Sequence, residues 1–188
     1  MTQAIDDVSH ASGFLPDYGR VSGMAHEAGY RRIESHSSGI FMERVALFDG
    51  RPFTPIFEET FGVRLSSLIS YFRKYRRDSQ EKTFIHSDRG VADWSAVLSI
   101  QIAGRWNGAF RTWRHKDTGL ERPEKNDLLR LQEDGLDSSL WEPTKNFQLY
   151  PNTCIFYRAD LFHSRWPKEW LEDWDRIVAI FFFNERRG

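Results

Sequence analysis

The stretch TFIHSDRGVADW (residues 83–94) places His86 and Asp88 two residues apart. On an extended chain, such residues point to the same side. A lone His-x-Asp is common and fits two readings: two arms of a metal site, or a polar pair in a hairpin beside Arg89-Gly90, where aspartate and glycine favour turns. Two later residues bear on the choice. His163 lies in RADLFHSRWP, about 77 residues on, and Arg176 begins RIVAIFFFN roughly 13 residues after that. Two imidazoles and one carboxylate on a single face of an iron ion leave three positions open. Those positions can take a bidentate 2-oxo acid and O2. The far carboxylate of the 2-oxo acid then needs a fixed cation, and the planar, always charged fork of arginine suits that role. Arg176 is followed by Ile177, Val178, Ile180 and three phenylalanines. A buried cation there would be costly without a counter-charge. Taken singly, each residue has an ordinary reading: His163 as the polar end of a strand, Arg176 as a surface partner of Asp173 or Asp175.

Strands must carry these side chains. LISYFRKY (68–75) is rich in aromatic and β-branched residues, RRDSQ makes a polar turn, and KTFIHSD returns as a second strand. WSAVLSIQIAG (94–104), GAFRTWRHK (108–116), NFQLYP, NTCIFYRADLFHS and RIVAIFFFN supply the rest, with one or two helical turns expected in WPKEWLEDW. FTPIFEETFG (53–62) is a helix with Thr54 as cap, Pro55 in first position and Gly62 as stop, and a weaker short helix follows Pro16-Asp17. The expected architecture is mainly β with flanking helices, an antiparallel sandwich or barrel in a single domain. Residues 1–13 are expected to be loose, 14–66 to form helical support, and 67–184 to form the β core.

Composition limits the function classes. The chain has 188 residues, with 15% aromatic residues and a formal net charge of -1. Near-neutral charge argues against nucleic acid and anionic membranes as partners. The basic run RKYRR (73–77) reads as the solvated end of a strand rather than a phosphate track. No apolar run approaches the roughly 20 residues of a membrane helix, and MTQAIDDVSH lacks a signal-peptide layout. A single cysteine, Cys154, set in TCIFY, reads as a small core residue and fits a reducing cytoplasm.

The chain resembles the 2-oxoglutarate and Fe(II)-dependent dioxygenases, and within them a small bacterial branch related to prolyl-hydroxylase-like enzymes. The resemblance is carried by IHSD, WSAVLSI, GAFRTWRHKDTG, NTCIFYRADLFHS and RIVAIFFF in the family's order, over roughly residues 54–184. No single stretch is specific; the ordered set is far more so. It implies a double-stranded β-helix (jelly-roll) core, with His86 and Asp88 as the first two iron ligands and His163 as the distal ligand. Arg176 is then the group that grips 2-oxoglutarate. The implied activity is hydroxylation of a small-molecule or peptide substrate using O2, with release of succinate and CO2.

Two features depart from the family pattern. Val178 stands where many relatives carry serine or threonine, and Tyr75 or Tyr71 on the preceding strand is the candidate to take over that contact. NGAF has one glycine where relatives often have a pair. His115 reads as a strand-end histidine bonded to Asp117 or Thr118, with a substrate contact or a fourth metal ligand as the other reading. Arg165 and Trp166 read equally as lining the pocket mouth or as surface residues. The polar segment 121–141 is expected to form a loop near the mouth. A cupin-like metal protein that does not use 2-oxoglutarate and a non-catalytic jelly-roll module remain open, as do the substrate and the oligomeric state.

Overall fold

The computed structural model describes residues 6–34, 41–79, 84–101, 105–124 and 128–186. In chain order the elements are β1 (Val8–Ser12), α1 (Tyr18–Glu27), β2 (Arg31–Glu34), β3 (Phe41–Leu47), α2 (Thr54–Phe61), β4 (Leu65–Tyr75), β5 (Trp94–Ile100), β6 (Ala109–His115), α3 (Leu128–Asp134), β7 (Trp141–Gln148), β8 (Thr153–Arg158), β9 (His163–Trp166) and β10 (Arg176–Glu185). Seven strands form one sheet in the order β1-β8-β5-β10-β4-β3-β2, and three form a second in the order β7-β6-β9. Among the described residues, every strand pairing is antiparallel. The architecture is the double-stranded β-helix that the sequence implied.

Side chains alternate across a pleated sheet, so the register decides what each face carries. Arg176 lies opposite Tyr75, Val178 opposite Arg73, and Ile180 opposite Tyr71. These residues share the face that looks toward the small sheet. Their neighbours Ile177, Ala179, Phe181 and Phe183 point the other way, into a core with Phe72, Phe156, Leu98 and Cys154. Helices α1 and α2 cover that core: Phe57 of α2 is fully buried, with its ring 4.9 Å from Phe181 and 4.8 Å from Phe183. With both faces covered, β10 reads as an uninterrupted apolar run.

Helix α2 ends as the sequence predicts. Gly62 adopts φ 72°, its amide donates to the Glu58 carbonyl, and Pro55 sits in the first turn. Thr54 is the first helical residue and makes no capping bond, because a 3-10 turn over Arg51–Phe53 leads straight into the helix.

Several expectations need correction. Val8–Ser12 is not loose: it pairs along β8 at the sheet edge. The supporting region 14–66 contains strands β2 and β3 as well as helices. The run 153–164 is two strands in different sheets, separated by a turn at Ala159-Asp160. The second strand expected before Asp88 shrinks to one bridge between His86 and His163, and its Lys82-Thr83 lie outside the described residues. WPKEWLEDW forms no helix. Side chains there take up backbone carbonyls: the Trp170 indole donates to Trp174 O, and Arg165 Nη1 to Pro167 O.

Candidate functional site

The His-x-Asp segment is docked on the β8–β9 turn by a set of backbone bonds. His86 N–H donates to His163 O at 3.0 Å, and His163 N–H returns a bond to His86 O at 2.8 Å. Asp88 N–H donates to Ala159 O at 2.9 Å, and the Ser87 hydroxyl to Asp160 O at 3.0 Å. Residues far apart in the chain thereby meet. Among the described residues, His86, Asp88 and His163 form the one group of three whose ligand atoms all lie within 4.8 Å of one another.

The ring orientations follow from local bonds. His86 Nδ1 lies 3.1 Å from the Phe84 carbonyl, and His163 Nδ1 lies 2.9 Å from the Leu161 carbonyl. A carbonyl only accepts, so in each ring Nδ1 carries a hydrogen, and in the neutral imidazole Nε2 presents its lone pair. Both Nε2 atoms turn toward Asp88. His86 Nε2 stands 3.9 Å from Oδ1, and His163 Nε2 stands 3.4 Å from Oδ2. Backbone carbonyls that fix the tautomer of a ligating histidine are a recurrent feature of metal centres. Two imidazole lone pairs and a carboxylate facing one point form a donor set that fits a divalent transition ion. Burial works to raise the Asp88 carboxyl. With the two imidazoles protonated, a bond from His163 and the positive charges of His163, His86 and Arg73 outweigh it and hold the group below the usual carboxylate range.

The same three residues line a cavity between the two sheets. Its wall includes Tyr71, Arg73 and Tyr75 of β4, Arg176, Val178 and Ile180 of β10, and Tyr157, Phe110 and Arg165. Arg176 is 2% exposed, and its Cζ sits 5.6 Å from the Tyr75 ring centre and 5.8 Å from that of Trp170. It does not pair with Asp175 at the surface. Asp175 instead binds Arg76 at 2.6 Å and Lys74 at 3.4 Å.

No protein-family profile matches the sequence, and no curated protein matches it. Solved structures do. The non-heme alpha-ketoglutarate-dependent carbocyclase SnoK from nogalamycin biosynthesis superposes with a TM-score of 0.62 at 11% identity, over 94% of this chain and 79% of that one. The epimerase SnoN, solved with Fe3+, alpha-ketoglutarate and nogalamycin RO, gives 0.61 at 14%, over 95% and 78%. HygX from Streptomyces hygroscopicus, solved with nickel and 2-oxoglutarate, gives 0.56 at 11%, over 94% and 82%.

The chain has the fold of the iron- and 2-oxoglutarate-dependent oxygenases.

On this oxygenase fold, the structure gathers His86, Asp88, His163, Arg176 and Tyr75 around one cavity. Tyr75 faces Arg176 across the β4–β10 ladder, whereas Tyr71 lies opposite Ile180. Val178 lies on the cavity wall, with no hydroxyl to offer. His115 is not part of the group. Its Nδ1 lies 3.2 Å from the Thr118 hydroxyl and its Nε2 lies 3.4 Å from Asp134. Arg165 reaches the cavity wall, but Trp166 turns to the opposite face, with the Arg111 guanidinium 3.8 Å above its ring. No described residue of 121–141 lines the cavity. Leu131 of that segment instead packs behind the small sheet, with Trp113, Trp141 and Phe162.

Sequence reasoning missed three residues here. Arg73, read as the solvated end of a strand, lines the cavity because β4 alternates. Tyr157 sits on the same wall, 2% exposed, with its hydroxyl 3.2 Å from His163 Nε2. Gly108 takes φ 79° against the Arg176 guanidinium. Counting back by two from Tyr75 on β4 would have found the first.

Proposed function

We propose that this chain is an Fe(II)- and 2-oxoglutarate-dependent oxygenase that hydroxylates a small molecule. The observation that supports this most is the convergence of His86, Asp88 and His163 in a cavity whose wall also holds the buried Arg176. The oxygenase fold and the metal and alpha-ketoglutarate held by SnoN support it further. HygX, solved with hygromycin B, and SnoN, with nogalamycin RO, support a small-molecule substrate.

In this reading, Nε2 of His86, Nε2 of His163 and the Asp88 carboxylate hold the iron. When bound with 2-oxoglutarate and O2, iron supplies the oxidation of a C–H bond, with release of succinate and CO2. The protein's own part is to bind, orient and exclude water. Arg176 receives the far carboxylate of 2-oxoglutarate through two charge-assisted bonds, and Tyr75 flanks it from the facing strand. The apolar wall of Val178, Ile180, Phe182 and Phe110 keeps water from the reacting carbon.

The test is an anaerobic titration of the purified chain with Fe(II) and then 2-oxoglutarate. The expected result is the weak visible charge-transfer band of the iron chelate, and its loss in Asp88→Ala. Ordinary metal binding without that band in the intact chain would sink the 2-oxoglutarate assignment.

A further inference from the structure

We propose that the substrate carries an oxyanion, a carboxylate or a phosphate, which Arg73 and Arg165 bind beside the 2-oxoglutarate seat. The proposal rests on the oxygenase reading above and names the substrate class of that site.

Position is the first argument. Arg73 stands on β4 opposite Val178, whereas Arg176 lies opposite Tyr75. Two residues along a strand span about 6.8 Å, so Arg73 sits one pleat repeat from the rung that holds Arg176, on the same face. Arg165 comes from β9 in the facing sheet. Both side chains line the cavity and converge on one ring. The guanidinium carbons of Arg73 and Arg165 lie 4.8 Å and 5.0 Å from the ring centre of Tyr75. That of Arg176 lies 5.6 Å from the same centre.

Charge is the second. Among the described residues that line the cavity, three are arginines and Asp88 is the one carboxylate. Arginine keeps its charge in any surroundings. In the reading above, Asp88 serves the iron and both histidines are neutral ligands. The three guanidinium groups and the two charges of Fe(II) then stand against Asp88 and the two carboxylates of 2-oxoglutarate. The occupied cavity keeps an excess of two positive charges on its wall. An aromatic face draws a cation, but three like charges around one ring repel one another. An oxyanion among them offsets that repulsion, and the guanidinium fork matches its paired oxygens.

Fixed placement is the third. Arg165 Nη1 donates to the carbonyl of Pro167 at 2.8 Å and to that of Lys168. These neutral acceptors hold the guanidinium in place without cancelling its charge. Much of the remaining wall is apolar, with Val97, Phe110, Leu149, Ile180 and Phe182. A ligand that suits it has an apolar or aromatic body and an anionic end. Arg111 serves as an internal control, because its guanidinium lies over the Trp166 ring on the other face of the small sheet, away from the cavity.

The experiment loads the full chain anaerobically with Fe(II) and saturating 2-oxoglutarate, so that the iron and Arg176 are occupied. Calorimetry then follows binding of benzoate, of phenyl phosphate and of benzamide, their uncharged match. At least one oxyanion should bind one to one with the chelate band retained, and benzamide should bind about tenfold more weakly or not at all. Arg73→Gln and Arg165→Gln should each weaken oxyanion binding about tenfold or more, with 2-oxoglutarate affinity unchanged. Arg111→Gln should leave it as it is. Binding of benzoate alone identifies a carboxylate substrate, phenyl phosphate alone a phosphorylated one, and both together support the shared seat. A retained chelate band shows that a variant is folded, and the two variants act from different sheets. No oxyanion bound, benzamide bound as tightly as the oxyanions, binding that either variant keeps, or a loss that Arg111→Gln matches overturns the proposal. So does a loss that falls on 2-oxoglutarate and spares the oxyanion. In a chain that forms no chelate, oxyanion binding that both variants abolish upholds the seat and sinks the 2-oxoglutarate reading instead.

Discussion

Gly108 packs directly against Arg176. A β-carbon on residue 108 would stand 3.1 Å from the guanidinium carbon, 3.2 Å from Nη1 and 2.5 Å from the Trp166 carbonyl oxygen. The residue also holds φ 79°, a left-handed conformation that costs a side-chain-bearing residue roughly 1–2 kcal/mol. Gly108→Ala should therefore lower stability by at least that amount, the clash with the Trp166 carbonyl adding to it, and push the guanidinium out of line. The expected outcome is 2-oxoglutarate affinity reduced about tenfold with Fe(II) affinity unchanged, read from the two legs of the anaerobic titration. Equal losses on both legs would assign Gly108 a structural role only.

Arg176 should separate co-substrate from metal. Hydrogen bonds to charged groups contribute about 1.5–3 kcal/mol, so Arg176→Ala should weaken 2-oxoglutarate binding by about ten- to a hundred-fold while Fe(II) still binds. Arg176→Lys should fall between, because lysine keeps the charge but not the fork. Calorimetry of 2-oxoglutarate binding to the metal-loaded variants checks the order.

Asp88 gives a pH dependence with a definite sign. Burial raises its carboxyl, but His163, His86 and Arg73 more than offset that, and the folded-state value lies below the unfolded one. Its contribution is present above the ordinary carboxylate value of about 3.9 and is lost as pH falls through the lower folded value. Urea unfolding of the metal-free chain should show the wild type gaining on Asp88→Asn as pH rises from about 3 to 5. A flat difference between the two would refute the assignment.

Phe57 reports on the scaffold alone. It is fully buried on the helix-covered face of the large sheet, away from the cavity. Phe57→Ala should cost about 3–5 kcal/mol in thermal or denaturant unfolding, while the folded fraction still forms the iron chelate with unchanged 2-oxoglutarate affinity.

Much of this was legible in the sequence because the site rests on alternation. The apolar run of β10 and the aromatic run of β4 predicted strands, and the positions of His86, His163 and Arg176 along the chain predicted a shared site. Contacts set by the packing of the two sheets stayed hidden. Nothing local says that the turn at Ala159-Asp160 sends His163 into the second sheet, or that Leu131 belongs under Trp141 rather than at the cavity mouth. WPKEWLEDW has the residues of a helical turn, yet side-chain bonds to its carbonyls hold it irregular. Propensity is a weak prior, and tertiary context overrode it there.

The β4–β10 register shifts once, between Phe182 and Phe183, beyond the stretch that carries Arg176, Val178, Tyr75 and Arg73. This governs which changes of length a descendant of this protein could accept. Losing one residue within β10 between Arg176 and Phe182 would exchange the two faces of the strand, turning guanidinium and aliphatic wall into the helix-covered core and phenylalanines toward the cavity. Losing two would restore the faces but move Arg176 by about 6.8 Å along the ladder. Insertions in the irregular connection 167–175 disturb neither. Diversification is thereby channelled into connections and single side chains, while pleating keeps the chemistry facing the cavity.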